Sequence, residues 1–246
     1  MSSETFNPVL IVVDFQEDFC PPVSYLRLDT AHITNLTLHS QNGALAVPEG
    51  RTIAPVLNTL LSLPFPLKLA TRDWHPRTHV SFASNHGPNA KPYTSTTTIT
   101  HPSDSKRSYD ITLWPDHCVQ MTAGAELATE LDHKLVDDVV DKGMVSSVEM
   151  YSAFYDPFKV SDSGLAARLR RQGVTHVYVA GLAADYCVKA TAEHAVDEGY
   201  ATYIVEEGTK PVSPEKWDEV RKGIVDHGVK MVSIDGEEVA KVKALK

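Results

Sequence analysis

Cys187 closes the run VYVAGLAADYC, residues 177–187, and a helix-like run over residues 188–198 follows directly. The first run is apolar and β-branched, punctuated by Gly181, so it reads as a buried parallel strand ending in a tight turn. Cys187 therefore falls at the carboxyl end of a strand and in the first turn of a helix. A helix start presents unpaired N–H groups and a partial positive charge, which can lower a thiol's pKa and cradle an oxyanion. A lone cysteine in an apolar run is ordinarily an inert buried thiol. The flanking Asp185, Tyr186 and Lys189, and the helix start itself, favour a reactive one. Thiolate attack on a carbonyl needs a proton acceptor and a stabilised oxyanion. The N–H groups of Cys187 and of the preceding Gly181-Leu182-Ala183 turn are the natural donors.

Two charged residues can serve that sulfur. Asp14 follows the apolar run VLIVV, and Lys142 follows the run at residues 137–140. Singly, the first reads as a cap or ion-pair partner and the second as a surface cation. Brought into one crevice, the carboxylate can take the thiol proton while the ammonium stabilises the charge left behind. A second constellation is Asp73-Trp74-His75 with His117 downstream. Residues i and i+2 of an extended segment share a side, so Asp73 and His75 can bind one ion together. Two imidazoles and a carboxylate suit Zn²⁺, Mn²⁺ or Fe²⁺ with open positions for water. His79, His86 and His101 compete for the same place. His117 is preferred because Trp114-Pro115 restricts its approach. Phe19, Trp114 and Tyr151 could sandwich a flat ring, or simply pack in the core.

These positions need a scaffold that brings strand ends together. Strands are predicted over residues 9–13, 67–70, 137–140, 177–180, 202–205 and 231–234. Helices are predicted over 51–63, about 123–131, 164–172, 184–198 and 214–227. The first has apolar residues at 53, 56, 57, 60 and 61, the stripe of an amphipathic helix. Residues 71–110 read as a long polar loop, residues 24–41 as an irregular excursion and residues 237–246 as a charged tail. Strands alternating with helices specify an α/β fold, a three-layer α/β/α arrangement around a six-stranded, mostly parallel sheet. In such sheets ligands bind beyond the carboxyl ends of the strands, where the strand order reverses. Asp14, Asp73 with His75, Lys142 and Cys187 each follow a different strand, and right-handed crossovers bring them to one rim.

The composition narrows the partners. A formal net charge of −9 with no basic cluster argues against nucleic acid or an anionic membrane surface. No apolar segment approaches the length of a bilayer span, and the first residues lack a signal peptide's apolar core. Three cysteines, Cys20, Cys118 and Cys187, make no disulfide framework and point to a reducing, intracellular setting. The cytoplasm is the default, with nuclear or peroxisomal compartments left open. Length and the lack of a linker indicate a single domain over residues 1–246.

Seven blocks, VVDFQEDF, ALAVPEG, TRDWHPRTHVSF, LWPDHCV, VDKG, YSAFYD and GLAADYCVKATA, occur in that order. Together they resemble the nicotinamidases of the isochorismatase-like hydrolase superfamily, the fungal members most. The resemblance implies hydrolysis of nicotinamide to nicotinate and ammonia through a cysteinyl thioester, in NAD salvage. It implies Asp14, Lys142 and Cys187 as the triad, and Asp73, His75 and His117 as ligands of one divalent metal, Zn²⁺ first, that holds the pyridine nitrogen. The N–H groups of Ala183 and Cys187 would form the oxyanion hole, with a non-proline cis peptide at Leu182–Ala183. Nicotinamide, with pyrazinamide as an analogue, is the implied small-molecule partner, and a homo-oligomer is compatible with the chain. Relatives pass almost directly from the first block to the second, so residues 24–41 form an insertion beside the site, serving as a lid, an oligomer contact or a tolerated surface loop. A metal-independent N-carbamoyl amide hydrolase of the same superfamily would keep the triad without the metal ligands. A non-haem iron oxygenase would use the two histidines and the aspartate, but on an all-β scaffold. A non-catalytic binding protein would have no need of the intact triad.

Overall fold

The computed structural model describes residues 5–22 and 43–245; the excursion at residues 24–41 lies outside them. Its frame is a six-stranded sheet of β1 (Pro8–Val13), β2 (Leu67–Asp73), β5 (Asp138–Lys142), β6 (His176–Leu182), β7 (Ala201–Lys210) and β8 (Lys230–Val232). The spatial order is β5-β2-β1-β6-β7-β8, and all five pairings are parallel. The chain runs outward from β1 through β2 to β5, then returns to the other side of β1 with β6. The strand order thus reverses at β1, and the rim beyond β1 and β6 is the crevice such sheets use.

β1 explains its own burial. Every residue of PVLIVV is buried, as the central strand of a sheet covered on both faces demands. Leu10 and Val12 point to one layer, where α1 (Ala54–Ser62) contributes Leu57, Leu60 and Leu61 and α5 (Glu237–Lys243) contributes Val239 and Val242. Val9, Ile11 and Val13 point to the other. There α2 (Leu165–Arg171), α3 (Lys189–Asp197) and α4 (Trp217–Asp226) supply Leu165, Leu169, Ala192, Ala195 and Ile224. Each of the Val, Leu and Ile side chains stabilises the fold by about 1.5–3 kcal/mol when fully buried. The three layers are therefore held by the alternation of one strand.

Four expectations are corrected. The long polar loop contains a hairpin, β3 (Thr96–His101) with β4 (Asp104–Thr112), set apart from the main sheet. Most of its side chains face solvent and only Ile99 and Ile111 are buried, so no alternation marks it. The helix expected near residues 123–131 shrinks to a 3₁₀ turn, Ala123–Ala125, because Phe15 and Gln16 draw residues 126–128 into extended pairing. The charged tail is α5, which turns only Val239 and Val242 inward. The helix start at residue 184 is a π-helical turn, Ala184–Val188, before α3.

Candidate active site

The rim gathers its residues from four strands. β1 is followed directly by Asp14, whose left-handed backbone (φ 46°) swings the chain out of the sheet. Asp73 and Lys142 are the last residues of β2 and β5 and are register partners. β6 lies against β1 through Gly181, where a Cβ would come within 2.0 Å of the Val13 carbonyl oxygen, so only glycine allows this approach. The turn after β6 then delivers Cys187. The Ala183 carbonyl accepts from the N–H groups of both Tyr186 and Val188, the widened geometry of a π turn, a form frequent at functional sites.

Lys142 is the hub. Its Nζ lies 2.9 Å from Asp14 Oδ2, in tight contact with Asp73 Oδ1, and 3.5 Å from Cys187 Sγ, to which it donates. It donates also to the Met150 carbonyl at 3.4 Å. The Thr71 hydroxyl donates to Asp14 Oδ1 at 2.6 Å and accepts from Asp14 N–H at 3.1 Å. Asp14 Oδ2 accepts no well-aligned hydrogen bond despite the nearby ammonium. All four charged or nucleophilic groups are at most 4% exposed.

Burial dominates the electrostatics. It drives the Cys187 thiol well above its usual pKa; Lys142 opposes this, while Asp14 and Asp73 reinforce it. The expectation that a helix start would acidify this thiol is therefore overturned, because desolvation outweighs a partial charge. Burial, opposed by Lys142 and aided by Asp73, also raises Asp14, which makes it a stronger base. For Asp73 the balance reverses: burial pushes it up, but Lys142, His75 and His117 hold it well below the carboxylate range. Lys142 is kept protonated by Asp14, Asp73 and Cys187 against the opposing effect of burial. A neutral thiol and the Asp14 carboxylate thus share one buried cation, Lys142, 2.9 Å from Asp14 Oδ2 and 3.5 Å from Cys187 Sγ.

Asp73 faces a second way. Its Oδ2 lies 3.5 Å from His75 Nε2 and 3.9 Å from His117 Nε2. Each ring commits its Nδ1 to a backbone carbonyl, His75 to Gly143 at 2.8 Å and His117 to Pro115 at 2.8 Å. Donation from Nδ1–H commits the Nδ1 side of each ring and turns Nε2 toward Asp73, so that Nε2 is the atom free to ligate a metal when unprotonated. Burial lowers His117 to about 4, so its ring is neutral. For His75 burial is outweighed by Asp73, and the pKa rises. The three donor atoms lie within 4.8 Å of one another, and the set fits a divalent metal ion. His79 is buried with its nitrogens against Ser81 Oγ and the Val148 carbonyl. Its ring stacks on His75 at 4.1 Å, and it forms a further close group with His75 and buried Glu149. His86 and His101 stand away from Asp73, the one bonded to the Val80 carbonyl and the other edge-on to Phe158.

A pocket opens onto these groups, lined by Asp73, His117, Ala183 and Cys187. The three expected aromatic residues, Phe19, Trp114 and Tyr151, all line it. Trp114 Nε1 donates to the Tyr151 hydroxyl at 3.2 Å, and Tyr186 packs edge-on against Trp114 at 5.0 Å. Leu45, Tyr186 and Val212 complete the wall and were not read from sequence as pocket residues. Thr71 and Gln16 were missed as well. Gln16 carried a usable signal, since it stands at i+2 from Asp14. The described residues contain no cis peptide bond. The expected one at Leu182–Ala183 is corrected: Ala183 makes the turn with a left-handed backbone, φ 56° and ψ 70°.

A buried cysteine grouped with a lysine and a carboxylate, beside a carboxylate and two histidines able to hold a metal ion, on a three-layer α/β/α sheet, is the make-up of a hydrolase. Residues 71–235 match the Isochorismatase domain. The chain is 36% identical over 231 residues to the nicotinamidase of Schizosaccharomyces pombe, covering 93% of this chain and 94% of that one. A structure of the yeast nicotinamidase bound to the inhibitor nicotinaldehyde superposes with a TM-score of 0.77 at 32% identity, covering 92% and 99% of the two chains. The pyrazinamidase of Pyrococcus horikoshii in complex with zinc gives a TM-score of 0.66 at 32% identity, covering 92% and 99%. The chain belongs to the isochorismatase-like hydrolase family.

Proposed function

We infer that this chain, as a single domain, is a nicotinamidase, hydrolysing nicotinamide to nicotinate and ammonia in NAD salvage. The observation that carries the reading is Lys142 Nζ in contact with both Asp14 and Asp73 and 3.5 Å from Cys187 Sγ. In the proposed mechanism Asp14 accepts the thiol proton through Oδ2. Cys187 Sγ then attacks the carboxamide carbon. The developing oxyanion is held by the N–H groups of Ala183 and Cys187, which act where charge appears. Asp14 returns the proton to the leaving ammonia. It next takes a proton from water, whose oxygen opens the thioester and restores the thiol. Lys142 keeps each ionised state from facing an apolar interior alone. Phe19, Trp114, Tyr151 and Tyr186 confine one aromatic ring so that the carboxamide meets the sulfur, an effect of proximity.

Asp73, His75 and His117 are proposed to hold Zn²⁺, with Mn²⁺ and Fe²⁺ also suited to such donors. When bound, the ion supplies a Lewis-acidic anchor for the pyridine nitrogen. Pyrazinamide keeps a nitrogen at the same ring position and is expected to be accepted. The test is ammonia release from nicotinamide before chelation, after it, and after Zn²⁺ is restored. The reading predicts activity, loss and recovery. Activity that persists once the metal is demonstrably gone would overturn the metal's part, and protein inactive throughout would overturn the whole.

A further inference from the structure

Gln16 is fully buried two residues after the proposed base, and its amide makes three hydrogen bonds. Its Nε2 donates to the Asp73 carbonyl at 2.9 Å and to the Ala125 carbonyl at 2.8 Å, and its Oε1 accepts from Asp73 N–H at 2.8 Å. Both backbone groups that Asp73 turns toward β1 are thus satisfied by one side chain. The sheet explains why they need it. The β1–β2 register runs from Val9 opposite Leu67 to Val12 opposite Ala70. It stops there because Asp14 takes a left-handed backbone and leaves the ladder. A straight β1 would have met the Asp73 peptide with main-chain groups, and left bare that peptide would carry unpaired polar atoms in a dry interior. The Gln16 amide replaces the missing ladder rung.

We propose that Gln16 is a positioning residue that fixes the Asp73 peptide, so that one carboxylate serves Lys142 through Oδ1 and the two histidines through Oδ2. The same turn that aims Asp14 at the thiol creates the gap that Gln16 fills. Base and metal carboxylate are therefore set by one local backbone choice. Outer groups that orient metal ligands change metal affinity by about 10- to 100-fold when replaced. The proposal rests on Asp73, His75 and His117 as the metal set, and its test reads metal affinity rather than turnover.

Metal-stripped wild type and Gln16→Met are titrated with Zn²⁺ against a competing chelator, and the visible spectra of their Co²⁺ forms are compared. Asn58→Leu is the control. Asn58 is a side-chain amide that likewise clamps backbone, donating to the Glu130 carbonyl and accepting from Asp132 N–H, neither of them a residue of the proposed site. Gln16→Met is expected to bind Zn²⁺ about 10- to 100-fold more weakly and to show a shifted Co²⁺ spectrum. Asn58→Leu is expected to lower only the melting temperature. If Gln16→Met does not fold, Gln16→Glu, which keeps the acceptor for Asp73 N–H and the side-chain volume, carries the same measurement. Wild-type affinity and spectrum in the Gln16 variant, with only a lower melting temperature, overturn the positioning role. Wild type that takes up no Zn²⁺ removes the metal reading itself, and this proposal with it.

Discussion

A thiol that burial has made a poor acid cannot ionise without a neighbour, and Asp14 is the neighbour that burial has made a better base. Asp14→Asn keeps the shape and removes the proton acceptor. It should lower kcat/KM for nicotinamide by about 10²–10⁴-fold, the usual worth of a general base, and slow alkylation of Cys187. Unchanged alkylation would show that the thiol ionises by another route. Lys142→Met leaves two buried carboxylates without their cation and should cost about 3–5 kcal/mol in urea unfolding. The histidines add a pH signature to the metal-free protein. His79 is held down to about 2 and His117 to about 4, both chiefly by burial, from an ordinary value of 6.5. Their contribution is complete above pH 6.5. As the pH falls below it the unfolded chain takes up protons that the native state refuses, and stability is lost. Between pH 6 and 4 His79 should contribute a slope approaching ~1.4 kcal/mol per pH unit, while the slope from His117 fades toward pH 4 as its native ring takes up the proton. His79→Gln should flatten the measured slope by about one such increment, and an unaltered slope would contradict a neutral buried His79.

At the scale of elements, the structure shows which signals reach the sequence. β1, β2, β6 and α1 were legible because burial on both faces, or on one helical stripe, leaves a periodic apolar mark. The hairpin of β3 and β4 was not, since a largely solvated pair of strands needs only Ile99 and Ile111 turned inward. α5 was hidden by its charges for the same reason. The residues proposed as triad and metal ligands were legible as types at strand ends and in an Asp-x-His pair. Among the candidate histidines only the fold brings His117 Nε2 to 3.9 Å from Asp73 Oδ2, which supports the proposed ligand set, and the wall residues Leu45 and Val212 come from loops whose positions no local pattern specifies. Gly143 illustrates what the ends of elements do. It follows β5 with φ 65°, and a Cβ there would lie 2.4 Å from His75 Cε1. Gly143→Ala should displace the His75 ring, weaken metal retention measured by competition, and cost about 1–3 kcal/mol for the unfavourable backbone. Wild-type metal affinity in that variant would mean the ring is not held against this glycine.

Across the whole molecule, one topological fact places the chemistry. The order reversal at β1 opens the rim between Asp14 and the Cys187 turn, while β2 and β5 bring Asp73 and Lys142 in from the far side. The frame recurs at low sequence identity. The N-carbamoylsarcosine amidase of Thermoplasma acidophilum matches it at 22% identity and a TM-score of 0.58, a likeness of fold alone. What separates the proposed metal-dependent reading from a metal-independent amide hydrolase is the trio Asp73, His75 and His117, drawn together beside the proposed nucleophile Cys187. No helix among the described residues is long and apolar enough to cross a membrane.

The covalent step is the most exposed part of the account. Protein mixed with nicotinamide, quenched in acid within a turnover and weighed intact should carry one nicotinoyl group, mapped by peptide analysis to Cys187, and Cys187→Ala should carry none and release no ammonia. An acyl group on another residue, or normal ammonia release by the alanine variant, would contradict attack by this sulfur.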